Sequence, residues 1–204
     1  MNHNVRNVQG LHEDAMYLYH NLVVGGDNSA DSILYNLNQA IENLKSNWKG
    51  KDAGTRIQEL ISVHNSMVSV RNSLAQLATD SSKVAANYRE IQNANGAGLD
   101  TLTILNYEVK TFLSDYSDVN DTVNINSLAE AGKNMIDNAN NMLDSFTSGV
   151  KSRYDSIMEN WTMGTGRDAA QGSFDSFIAN VNKYKQTLTD VSANITKALQ
   201  NYTF

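Results

Sequence analysis

One run of apolar residues near the end of the chain constrains the fold more than any other feature. Phe174, Phe177, Val181, Tyr184, Leu188, Val191, Ile195, Ala198 and Tyr202 recur in alternating steps of three and four without a slip. That rhythm puts them on one stripe of an α-helix. In its strict form it makes a seam for packing on other helices at a shallow left-handed crossing. Alternation by two, which a half-buried strand needs, is absent. The seam predicts a helix over about residues 167–202, about 54 Å long.

Three other stretches carry the same pattern. Ile57, Leu60, Ile61, Val68, Leu74, Ala78, Ala85, Tyr88 and Ile91 predict a helix over 51–92, with His64, Arg71 and Ser81 as polar interruptions that set register or sit at the margin. Leu128, Ala131, Met135, Ala139, Met142, Phe146, Val150, Tyr154, Ile157 and Trp161 predict another over 127–160. Ser127 followed three residues later by Glu130 reads as a capping box for its start, with Asn126 as the other candidate cap. Near the N-terminus, Leu11, Ala15, Leu18 and Leu22 make one stripe, and Ala30, Ile33, Leu37, Ile41, Leu44 and Trp48 make the next. Between them Gly25-Gly26-Asp27-Asn28-Ser29 is a break-and-recap signal. It is compatible with a kinked long helix or with two nearly collinear ones. Leu99, Leu102, Leu105, Val109, Phe112, Leu113 and Tyr116 predict a connector helix over 99–117.

Composition agrees. The 204 residues include no proline, the residue that most strongly breaks a helix interior, so the turns must rely on glycine. No cysteine is present, which excludes a disulfide scaffold, a thiolate metal site and a cysteine nucleophile. With 16 basic against 22 acidic side chains the net charge is −6, and the basic residues are scattered, so no nucleic-acid partner is expected. No stretch is apolar enough to span a membrane. The first residues, Met1-Asn2-His3-Asn4-Val5-Arg6, lack the charged-then-apolar order of a signal peptide.

The two tryptophans mark an internal repeat. The chain reads Asn47-Trp48-Lys49-Gly50-Lys51-Asp52-Ala53 and Asn160-Trp161-Thr162-Met163-Gly164-Thr165-Gly166-Arg167-Asp168-Ala169. In each copy a helix ends on tryptophan, glycine supplies the backbone freedom to reverse the chain, and an acidic residue falls in the first turn of the next helix. There it interacts favourably with exposed amides. The expectation is an αα-hairpin, twice: residues 1–95, with the turn at 48–50, and residues 127–204, with the turn at 161–166. Residues 96–126 form the connector.

Two helices of about 40 residues joined by Trp-x-Gly resemble the hundred-residue WXG proteins, the early-secreted-antigen-like helical hairpins of bacterial type VII secretion systems. Trp48-Lys49-Gly50 matches that motif as it stands. Trp161-Thr162-Met163-Gly164 is a divergent copy, with Gly164 and Gly166 as its nearest glycines. The family pairs hairpins in antiparallel four-helix bundles. A tandem copy therefore implies an all-α, monomeric pseudo-dimer with an extra connector helix. The resemblance also implies secretion without a cleaved signal peptide. The implied partners are the FtsK-like ATPase of the system and a co-secreted effector or another WXG-type protein. Mycobacterial-type members or their partners carry Tyr-x-x-x-Asp/Glu after the second helix, and no tyrosine here is followed four residues later by an acid. The resemblance thus points to the Firmicutes-like branch.

No catalytic constellation stands out, and no cofactor or metal is expected. His12, Glu13, Asp14 and His20 suggest a metal cluster on paper, but the histidines stand about two turns apart and read better as surface residues. Gly164-Thr165-Gly166-Arg167 lacks the strand and lysine of a phosphate loop and reads as turn chemistry. The expected role is protein–protein interaction without enzymatic activity, with Trp48, Gly50, Trp161, Gly164 and Gly166 as the motif residues. The alternatives are a membrane-active helical toxin component and an intracellular helical scaffold.

Overall fold

The computed structural model describes residues 5–92, 98–103, 124–163 and 165–201. In chain order the elements are α1 (Val8–Tyr17), a π-helical stretch (Leu18–Val23), α2 (Ala30–Asn47), β1 (Trp48–Lys49), α3 (Lys51–Gln92), β2 (Asn124–Ile125), α4 (Ala129–Asn160) and α5 (Thr165–Gln200). The described fold is all-helical apart from a two-stranded ribbon, β1 antiparallel to β2, and one bridge between Val5 and Trp161. No described helix is long and apolar enough to cross a membrane.

The first arm is broken rather than kinked. The Asn7 side chain accepts from Gly10 N–H and caps α1. Within the π-helical stretch the winding loosens, and Val24 N–H donates to Tyr19 O, five residues back. The chain then turns at Gly26, whose φ of +87° suits glycine. Ser29 accepts from Ser32 N–H and starts α2. The stripe survives the break: Leu11, Ala15, Leu18, Leu22, Ala30, Ile33, Leu37, Ile41 and Leu44 are all buried.

The interhelical contacts run antiparallel throughout. Arg153 of α4 reaches Asp14 of α1, Leu22 lies against Gly149, Asn36 Nδ2 meets Met142 Sδ, and Leu44 lies against Gly132. The first arm therefore follows α4 along its whole length in reverse order. Helix α3 packs on α1, α2 and α5, and α5 packs on α3 and α4. Aromatic rings stitch the second pair: Phe146 meets Phe177 edge-on at 5.9 Å between centroids, and Tyr154 meets Phe174 at 4.5 Å.

Several sequence expectations are corrected here. Over the first half of α4 the buried face is displaced by one position. Ala129, Gly132, Ile136 and Leu143 point inward, whereas Leu128 is 63 % exposed and Ala131 is exposed. The reason is close approach. A Cβ on Gly132 would stand 2.8 Å from Asn43 Oδ1 and 3.1 Å from Leu44, so α4 meets α2 through its smallest residue. A reading by apolar size passes over glycine. The capping box does not form either, since no side chain caps α4 at Leu128. Asn126 is used instead: its Oδ1 accepts from Leu128 N–H at 3.0 Å. Ile91, expected on the α3 seam, is 81 % exposed. Residues 98–103 carry no helix. Their Leu102 is buried against the core, and the rest of the expected 99–117 helix lies outside the described residues.

Candidate interaction site at the tryptophan turns

Both tryptophans end a helix in the same way. Trp48 caps α2 with φ −132° and ψ 122°, and Trp161 caps α4 with φ −123° and ψ 99°. In each the backbone N–H still closes the last helical turn, donating to Leu44 O in one case and Ile157 O in the other. The extended ψ then throws the chain out of the helix. Both indoles are buried, at 1 % and 2 % exposure.

What receives each tryptophan comes from the other half of the chain. Trp48 pairs with Ile125 and Lys49 with Asn124, immediately before α4. Asn126 N–H donates to Asn47 O at 3.2 Å, and Asn126 Nδ2 donates to Asn47 Oδ1 at 3.0 Å. At the opposite end Trp161 bridges to Val5, just before α1, and Arg6 N–H donates to Asn160 O at 2.9 Å. Asn47 and Asn160, each just ahead of its tryptophan, thus use their carbonyls on corresponding partners. Nothing in a linear pattern reports this cross-pairing, because each strand is at most two residues long.

The glycines do different work. Gly50 has φ +113°, a conformation side chains rarely adopt, and its carbonyl accepts from Gly54 N–H to open α3. Gly166 lies inside α5, while Gly164 is outside the described residues. Asp52 and Asp168 both sit in the first turn of their helices. Arg167 of the second turn is paired with Asp168 at 2.9 Å. Met163, in the same turn, is 57 % exposed.

The polar interruptions of the α3 seam are interior residues. Arg71 is buried and its Nε donates to Asp31 Oδ1 at 3.0 Å, tying α3 to the start of α2. His64 is fully buried. Burial holds its imidazole below the usual range, against the opposing effect of its bond to Asn65. Between the halves, the buried Asp14 receives Arg153 at 2.8 Å and Ser156, and the Arg153 guanidinium lies 4.2 Å from the Tyr17 ring centroid. Of the imagined His12 cluster, Asp14 is therefore held by this network, His12 contacts the backbone of Asp100, and His20 is exposed. Among the described residues no group of three histidines or carboxylates is placed to hold a metal ion.

Residues 122–203 match the family model WXG100, described as proteins of 100 residues with WXG. That stretch is similar to WXG-type proteins. It spans β2, α4, the second tryptophan turn and α5, and leaves the literal Trp48-Lys49-Gly50 outside. No curated protein and no solved structure matches the chain.

Proposed function

We propose that this chain is a non-enzymatic helical protein of a bacterial type VII secretion system, exported by it or serving as a targeting partner within it. The observation that carries the reading is the WXG100 match over residues 122–203. The finer proposal is that the first half is a second copy of the same hairpin plan, so that one chain supplies both members of a bundle and works as a monomer. Two features support it. Trp48 and Trp161 cap their helices with similar dihedral angles, and each is received by the segment that opens the other half.

The burial of both indoles supports a shape-keeping role for them. In this reading Trp48, Gly50 and Trp161 hold the turns, and contact with the FtsK-like ATPase or a co-secreted chain falls to outward residues such as Met163. Secretion tests this directly. The protein is expected in the culture supernatant of the intact strain and missing from it when the ATPase gene is deleted. Unchanged secretion in the deletion strain would overturn the proposal. For the duplication, sedimentation should give a monomer, and an obligate dimer with each half paired in trans would refute it.

A further inference from the structure

Residues 98–103 lie across the first arm and α3 and are held there mainly by their main chain. His12 Nε2 donates to Asp100 O at 2.8 Å, Tyr19 Oη donates to Thr103 O at 3.4 Å, and Leu102 N–H donates to Ser82 Oγ at 3.1 Å. Leu102 is buried in the core and Leu99 is half-buried against it, while Asp100, Thr101 and Thr103 are exposed. The receiving groups are set in advance. Ser82 is fully buried, and its hydroxyl also donates to Thr79 O at 2.9 Å, which leaves a lone pair aimed at the incoming amide. Tyr19 belongs to the π-helical stretch, the kind of local unwinding that often marks a functional site.

A groove that binds main-chain atoms, buries one leucine and half-covers a second has little means of telling one extended leucine-bearing segment from another. We propose that the groove lined by His12, Tyr19 and Ser82 is a peptide-binding site, occupied here by the chain's own residues 98–103, and that an extended leucine-bearing segment of a partner protein binds it by displacing them. Main-chain hydrogen bonds supply the affinity and the leucine pocket supplies the selectivity, as in other extended-peptide sites. The internal segment is tethered, with an effective concentration of the order of millimolar, so it masks the site until a competitor or a weakened anchor frees it. This proposal stands apart from secretion.

The test uses the full chain and a fluorescein-labelled peptide of the strap's own sequence, Gly-Leu-Asp-Thr-Leu-Thr, followed by anisotropy. Leu102→Ala should weaken the internal occupant, and this variant should bind the peptide at least ten times more tightly than the wild-type chain. Adding Ser82→Ala should remove that gain, and a peptide with alanine in place of its second leucine should bind neither protein. Equal binding to wild type and variant, or binding to neither, overturns the proposal. If Leu102→Ala loses its helical circular dichroism, hydrogen exchange on the wild-type chain decides. Millimolar peptide should speed exchange of the Leu102 amide about tenfold, and an unchanged rate refutes displacement.

Discussion

The two tryptophan turns are built from different letters and close in the same way. The first, Trp48-Lys49-Gly50, reverses the chain through one glycine at φ +113°. The second runs from Trp161 through Thr162 and Met163 to a helix that starts at Thr165. Yet both tryptophans are extended C-caps, both are buried, and both dock on the segment that opens the opposite half. The family match falls on the half with the divergent turn. That half has an uninterrupted first arm, the 32 residues of α4, whereas the arm before Trp48 is split by the π-helical stretch and Gly25-Gly26. The lesson is that each of these turns is closed by a paired helical seam and a buried aromatic end, and that the Trp-x-Gly tripeptide is present in only one of the two.

The largest test of that equivalence is removal of each indole. Trp48→Ala and Trp161→Ala should each cost about 3–5 kcal/mol in urea unfolding, the range for deleting a buried large aromatic. A second-half variant that costs under half as much as the first would break the comparison. The glycines should separate the turns rather than unite them. Gly50→Ala forces a side chain into positive φ and should destabilise by about 1–3 kcal/mol. Gly166→Ala, inside α5, should leave stability unchanged or raise it by up to about 1 kcal/mol through helix propensity. A matching loss at both sites would mean that the second turn also depends on a special glycine conformation.

The last effects emerge only away from neutral pH, and they should point in opposite directions in the two halves. His64 of α3 has its pKa lowered, so the unfolded chain binds a proton that the folded chain refuses. Stability should fall as pH drops below about 6.5 towards the folded value. Tyr154 of α4 is pushed up to about 12, chiefly by burial and then by Asp175, with Arg167 opposing and Asp155 adding. The unfolded phenol ionises near 10 while the folded one keeps its proton, so stability should fall as pH rises from about 10 to 12. Urea midpoints measured across pH should flatten on the acid side in His64→Gln and on the alkaline side in Tyr154→Phe. A slope unchanged by its own substitution refutes that assignment.

Much of the architecture was legible before any coordinates, and the misses have particular causes. The 174–195 seam, the stripe of the first arm and the helical ends at Trp48 and Trp161 appear where the pattern places them. The displaced face of early α4 was missed because Gly132 contributes by its absence of side chain, letting α2 approach. Arg71 and His64 could be flagged as interruptions, but their place in the interior depends on Asp31 and on neighbouring helices. At the candidate site the tryptophans were readable as motif residues, while their partners Ile125 and Val5 lie far away along the chain.

By itself the sequence determined helix: apolar steps of three and four, no proline, and glycine at the turns are local properties, readable from residues three and four apart without knowing their distant partners. It also marked the two tryptophan turns, since a repeated word needs no partner to be seen. Only the tertiary structure decided the register of α4 against the first arm, the exchange of tryptophan partners between the ends, and the pairing of Arg71 with Asp31 and Asp14 with Arg153. Those depend on how closely two backbones approach and which charges lose their water together, quantities that arise only when distant segments share one interior.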